Sequence, residues 1–333
     1  MESRRGRNGR RARPSRRRPL LYSALALVAV LGATAGGTAY VKARAHSGAG
    51  AVSSSSAEPS ASASGSADGG VTVESVAAPE VDHDALLAEA MGSVTVPADA
   101  KVSVAVLDVE SADGAVYGSD AFDTASIVKV DILAALLLQA QDAGRHLTAA
   151  EKTYATAMIE NSDNTSASEL WRIIGKAEGL DAANARFGLT GTEGGDDMLW
   201  GLTQTTAADQ LTLLGQVFGD DSELSEASRA YLQGLMRQIA TDQHWGVSAA
   251  ADGSSWALKN GWLARSTTGL WDINSIGRVT SSGRTYLVAV LSNGNATQAE
   301  GISLVEAAAK AAVSAFADGT ASATASATTP AAD

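Results

Sequence analysis

In the stretch "TASIVKV", Thr124 to Val130, Ser126 and Lys129 stand three residues apart at the head of an apolar helical run. Residues at that spacing share a helix face, about 5–6 Å apart at Cβ, so the amine can reach the hydroxyl. A protonated lysine cannot take a proton. Burial and neighbouring positive charge lower its pKa, and the neutral amine can then activate the serine as a nucleophile. The start of the helix also offers backbone N–H groups to a developing oxyanion. The plainer reading is a helix that begins with a serine and carries a lysine by chance. Against it stands the cost of burying an unneeded lysine in so apolar a run.

Two further stretches could complete such a site. Ser162-Asp163-Asn164 falls between two helical segments. These residue types are preferred helix caps, which is one reading. The other is a hydroxyl for proton relay and a carboxamide for an amide substrate, with Asp163 as a buried orienter of the loop. Lys259-Asn260-Gly261-Trp262 is equally two-sided. Asn-Gly is a favoured hairpin turn. Kept within a strand, the same residues would supply positive charge from Lys259 and close backbone approach at Gly261. The Trp262 N–H would be a second oxyanion donor.

These stretches need a scaffold that brings them together. Residues 82–91 read as a helix with acids in its first turn. Residues 101–110 alternate and are β-branched, and 114–120 pair with them as a hairpin. Helical periodicity then covers 126–142, 148–160, 164–174, 179–187, 205–218 and 225–239. Strand patterns return at 255–262, 269–279 and 285–293, and 299–316 reads as a closing helix. The pattern predicts an α+β fold. One antiparallel five-stranded sheet is built from both ends of the domain, with the N- and C-terminal helices on one face and an all-helical block on the other. No proline occurs between Pro97 and Pro330, so Gly, Asn and Asp punctuate the domain.

Charge and composition narrow the partners. The chain has 333 residues and a net charge of -12. Nine arginines and one glutamate lie in residues 1–18, and the remainder carries a net of -20. An acidic body repels a phosphate backbone, so no nucleic-acid partner is expected. The basic head, 1–18, runs into 23 uncharged residues, Pro19 to Val41. That length spans a bilayer, with the arginines on the cytoplasmic side and the domain outside. The expected location is the cell membrane, single-pass, anchored through residues 19–41. The alternative is secretion after signal cleavage near Ala45. Residues 42–78 read as a flexible Ser/Ala/Gly-rich linker, 79–316 as the folded domain, and 317–333 as a disordered tail. The absence of cysteine excludes disulfides, thiolate metal sites and thiol nucleophiles. No cofactor or metal is implied. Asp82-His83-Asp84 reads as a helix start rather than a ligand set. The chain is expected to act as a monomer.

The three stretches occur in a telling order. S-x-x-K at a helix start, S-D-N between helices and K-x-G on a later strand resemble the motif set of the class A β-lactamases and penicillin-binding proteins. The element order over 79–316 resembles that fold too, and "LTQTTAADQLTLLGQVF" (202–218) looks like the threonine-rich helix after the family's Ω-loop. The resemblance implies that Ser126 is the acylated nucleophile and Lys129 its base. Ser162 would pass a proton to the leaving nitrogen and Asn164 would hold the substrate amide. Lys259 would attract the substrate carboxylate, and the N–H groups of Ser126 and Trp262 would form the oxyanion hole.

Two departures bear on activity. The third motif has Asn260 where the family has Thr or Ser; its amide can donate to a carboxylate but supplies no hydroxyl. The Ω-loop counterpart, residues 187–201, lacks the family's Glu-x-x-Leu-Asn. Its carboxylates, Glu193, Asp196 and Asp197, lie in a glycine-rich context and read first as solvated loop acids, with Glu193 a weak candidate base. Only 35 residues separate Ser126 from Ser162, so the helical block is trimmed. His244, Arg265 and Arg278 are secondary candidates for lining or charging the cleft. The expectation is an exported serine hydrolase acting on an amide or ester, including a peptidoglycan-like peptide or another small molecule. Efficient β-lactam hydrolysis is not expected. The competing expectation is a non-catalytic domain that keeps the fold to bind wall fragments.

Overall fold

The computed structural model describes residues 81–326. The basic head, the apolar stretch 19–41 and the linker 42–78 lie outside the described residues. Among the described residues, no helix is long and apolar enough to cross a membrane.

The elements follow one another as α1 (His83–Met91), β1 (Lys101–Asp108), β2 (Gly114–Tyr117) and β3 (Phe122–Asp123). Four helices follow: α2 (Val128–Asp142), α3 (Ala149–Glu160), α4 (Asn164–Ile174) and α5 (Lys176–Phe187). Then come β4 (Gln204–Thr205), α6 (Ala207–Phe218), α7 (Glu226–Met236), β5 (Trp256–Ala264), β6 (Trp271–Ser281), β7 (Arg284–Asn295) and α8 (Gln298–Ser326). The main sheet has the order β2-β1-β7-β6-β5, antiparallel throughout. The α+β architecture is therefore the expected one.

Burial explains the layering. Central strand β7 is buried without interruption from Tyr286 to Ser292, as a strand covered on both faces must be. Its alternate side chains enter two cores. Leu287, Ala289 and Leu291 pack with the helical block. Tyr286, Val288 and Val290 pack with Leu87 and Met91 of α1 and with Val305, Ala308 and Ala312 of α8. Helix α2 is buried on every side from Val128 to Leu138. A helix apolar all round belongs at the centre of a block. Caps fix its neighbours: Thr148 and Glu151 form a reciprocal capping box on α3, and Asp163 caps α4.

The structure differs from the sequence reading at a few ends. The helix expected from Ser126 begins as a separate 3-10 turn, Ala125–Ile127, and α2 starts at Val128. The segment before α6 contributes β4, which pairs with β3 as a small second sheet. Two-residue strands leave no periodic signal to read. Helix α8 continues to Ser326, ten residues past the expected end at 316, because alanine-rich sequence sustains a helix.

Candidate active site

The expected nucleophile sits on a tightly held turn. Ala125 adopts φ 47, a left-handed conformation that costs a non-glycine residue energy and persists only where its surroundings impose it. The constraint is visible. Asn274 of β6 donates from Nδ2 to Asp123 O at 2.9 Å and Thr124 O at 3.0 Å. Thr124 N donates to Thr203 O at 2.9 Å. Strand β5 closes the third side. A Cβ on Gly261 would stand 2.7 Å from Thr124 O and 2.8 Å from Ser126 N. Gly261 therefore serves the approach of the turn to the strand, rather than the substrate alignment expected of it. The Ser126 amide thereby lies against β5 at Gly261.

Lys129 is fully buried and ringed by oxygens. Its Nζ lies 2.9 Å from Ser126 Oγ, 2.6 Å from Ser162 O, 3.1 Å from Ser162 Oγ and 2.8 Å from Asn164 Oδ1. Burial lowers its pKa to about 7, against the opposing pull of Asp163. The carbonyl of Ser162 and the amide oxygen of Asn164 can only accept, so they take two hydrogens of a neutral amine. The lone pair is then left for a serine hydroxyl. Burial also holds Lys259 well below the usual lysine range, and the charge of Lys129 adds to the effect.

Ser162 stands between the amines. Lys259 Nζ donates to Ser162 Oγ at 3.0 Å and to Asn260 O at 2.9 Å. To present both its carbonyl and its hydroxyl to Lys129, Ser162 takes φ 55, a second left-handed non-glycine residue in the site. Asp163 fixes that loop, but as a half-buried cap rather than a buried orienter: Ser166 N donates to Asp163 Oδ1 at 2.7 Å. That contact and the nearby Lys129 keep its pKa low. Asn164 spends its oxygen on Lys129, which leaves its NH2 group to donate elsewhere.

Strand alternation sorts the third stretch. Lys259 and Gly261 face the helical block, while Asn260 and Trp262 face α8. Asn260 is fully buried and donates to Gln243 O at 2.8 Å and Trp245 O at 3.1 Å. Its oxygen accepts from Ser275 Oγ at 2.6 Å. The expectation that it reaches a substrate carboxylate is thus corrected: its side chain braces the back of the sheet. The Trp262 ring packs edge-on to Trp245 at 6.0 Å, so only its backbone remains for the cleft. Lys259 is also fully buried, and its contact is with the relay serine rather than with open cleft.

The remaining candidates fall outside the cluster. Glu193 is exposed and pairs with Gln204 through backbone alone, N to O at 2.9 Å in both directions. Among the described residues, no side chain from 187–201 hydrogen-bonds to Ser126. Asp197 is exposed and lies 3.4 Å from Lys176. Arg265 pairs with Asp123, and with Asp272 at 3.6 Å, so it braces the nucleophile turn instead of charging the cleft. Arg278 lies over Phe218 at 5.9 Å. His244 Nε2 meets Ile239 O at 3.0 Å, and its ring packs on Trp256. Asp82 caps α1 and Asp84 accepts from Val116 N at 2.7 Å, as expected of a helix start.

Sequence reasoning missed one residue at the centre. The Trp200 ring lies beside Lys129, its centroid 5.0 Å from Nζ. A large aromatic in an acid- and glycine-rich loop was the available signal.

A family model described as the beta-lactamase enzyme family matches residues 147–316. The chain belongs to the beta-lactamase enzyme family. The match takes in Ser162, Asn164 and Lys259 and begins after Ser126. No curated protein matches the chain. Among solved structures, "PBP-A" is 20% identical with a TM-score of 0.61, covering 70% of this chain and 96% of its own. A beta lactamase from Xanthomonas campestris pv. campestris is 20% identical, TM-score 0.56, covering 70% and 97%. A class A beta-lactamase representative from Bacteroides cellulosilyticus is 15% identical, TM-score 0.60, covering 72% and 100%. At such identities the likeness is one of fold. Family members with this fold are generally serine hydrolases.

Proposed function

We propose that the chain is an exported, membrane-tethered serine hydrolase that forms an acyl-enzyme on Ser126 from an amide or ester, such as a cell-wall peptide or a β-lactam. The observation that carries this reading is the contact of buried Lys129 with both Ser126 and Ser162. The neutral amine takes the Ser126 proton as Oγ adds to the substrate carbonyl. The N–H groups of Ser126 and Trp262 receive the oxyanion. Lys129 then returns the proton through Ser162 to the leaving nitrogen, and the C–N bond breaks. Asn164 donates to the substrate amide, and Lys259, buried behind Ser162, holds the relay hydroxyl in line. With no carboxylate of the 187–201 segment bonded to the nucleophile, hydrolysis of the ester is slow, nearer to a penicillin-binding protein than to an efficient β-lactamase. Export and tethering rest on the arginine-rich head and the apolar residues 19–41. The acidic body supports a small-molecule or wall-peptide substrate over nucleic acid, and the chain acts as a monomer.

Incubation with penicillin G followed by intact-mass measurement tests the reading. An adduct on the wild type, absent in Ser126→Ala, is expected. No adduct with any penicillin, ester or D-Ala-D-Ala mimic would instead favour a non-catalytic wall-binding domain. Rapid turnover of a chromogenic cephalosporin would overturn the slow-hydrolysis part alone.

A further inference from the structure

We propose that Trp200 sets the lifetime of the acyl-enzyme by walling water off from Lys129, an inference that rests on the acyl-enzyme reading above. The polar contacts of Lys129 all go to Ser126, Ser162 and Asn164. The indole of Trp200 lies against the amine as well, at 5.0 Å. A ring face attracts a cation, but it holds a water molecule only weakly.

The ring is held in place. Trp200 Nε1 donates to Ser168 Oγ of α4 at 3.1 Å. Its backbone lies in the 3-10 turn Trp200–Leu202, which packs against the nucleophile turn: a Cβ on Gly201 would lie 4.0 Å from Ala125 Cα. Thr203, just beyond, accepts Thr124 N. On the other flank, Asp197 O accepts from Trp171 Nε1 at 2.7 Å. Swinging the indole away therefore breaks bonds to α4 or to the turn that carries Ser126.

Hydrolysis of the ester needs a water near the acyl carbonyl and a base for its proton. The nearby base is Lys129, neutral again once its proton has gone to the leaving nitrogen. Water oxygen would add to the ester carbon as Lys129 takes the proton. The C–Oγ bond would then break, and Lys129 would return the proton to Ser126 Oγ, releasing a carboxylic acid. A water approaching the amine from the side of the Trp200 ring would have to displace the indole, and water exclusion of this kind protects reactive intermediates.

The test separates formation of the adduct from its decay. The full chain is labelled with penicillin G, excess is removed, and the adduct is followed by intact mass. In Trp200→Ala, decay is expected to be faster by about tenfold, while formation slows, because the amine loses part of the desolvation that keeps it neutral. Trp200→Phe, which keeps an aromatic wall, is expected to decay at nearly the wild-type rate. Ser168→Ala, which frees the indole N–H without removing the ring, is expected to accelerate decay by a smaller factor and serves if Trp200→Ala does not fold. Unchanged decay in both Trp200→Ala and Ser168→Ala, or in Ser168→Ala alone where the former does not fold, overturns the wall and leaves the acyl-enzyme intact. Equal acceleration in Trp200→Phe and Trp200→Ala also overturns it. Failure of the wild type to form any adduct overturns both readings.

Discussion

The Nζ of Lys129 stands 2.9 Å from the Oγ of Ser126, inside a site from which the amine is shielded on every side. Separation and desolvation act together here. The first lets the proton pass, and the second makes the amine able to take it. A pKa of about 7 places the change of state near neutral pH.

Acylation of Ser126 should therefore follow the neutral fraction of Lys129. Because its pKa is lowered, the base form gains as pH rises through about 7 and is lost below it. The second-order rate of penicillin labelling is expected to climb about tenfold per pH unit below that point and level off above it. Lys129→Arg, charged at all these pH values, is expected to lose roughly a thousandfold and the pH dependence with it. A flat profile in the wild type would remove Lys129 as the base.

Gly261→Ala should disable the site without touching a reacting group. Its Cβ would meet backbone atoms of the nucleophile turn at 2.7 to 2.9 Å, and backbone cannot rotate aside. A displacement of about 1 Å costs on the order of a hundredfold in rate. Labelling rate and thermal melting on the same preparation check this; wild-type labelling in the variant would show that the turn is not so closely held.

Asn260→Thr restores the residue type of the family's third motif, and it is expected to bring no gain in labelling. The side chain faces α8, away from Lys259. Losing the Asn260 amide would take the donor from the Trp245 carbonyl, while Gln243 O keeps only Trp245 N; the cost is about 1–3 kcal/mol for a group left unsatisfied. A lower melting temperature with unimproved labelling is the expected pair of results. Faster labelling would mean that position 260 does reach substrate.

Asp131 offers a stability test away from catalysis. It is buried in α2, accepts from Asn184 Nδ2 at 3.0 Å, and burial raises its pKa to about 7. Oδ1 of Asp131 and Oδ1 of Asn184 both lack partners. A carboxyl raised in the folded state holds a proton there that the unfolded chain has released. Stability from this group is therefore present at low pH and lost as pH rises from about 4 to about 7. Asp131→Asn keeps an acceptor for Asn184 and adds a donor for its bare oxygen. The variant's melting temperature should exceed the wild type's by a margin that widens across that window and then stays constant. A margin independent of pH would assign the titration elsewhere.

Much of the site was legible because its signals are local. Ser126 and Lys129 sit one helical turn apart, Ser162 to Asn164 are caps by residue type, and Lys259 lies in an apolar strand. Their order along the chain, with strands before and after a helical block, carried the fold. Asn260 shows where that kind of reading stops: motif spacing placed it correctly on the strand, but its face depends on which neighbours bury it.

The sequence by itself determined the main elements, the layered α+β fold and the identity of the polar groups around Lys129, since helical and strand periodicity and side-chain chemistry are properties of short stretches. Tertiary structure alone decided how those groups act. Pairing of β5 with β6 and packing of the 3-10 turns impose the left-handed Ala125 and require a bare Gly261. They remove Asn260 and Glu193 from the cluster and bring Trp200 onto the amine. Each of these depends on contacts between residues far apart in the chain, and on the desolvation those contacts create.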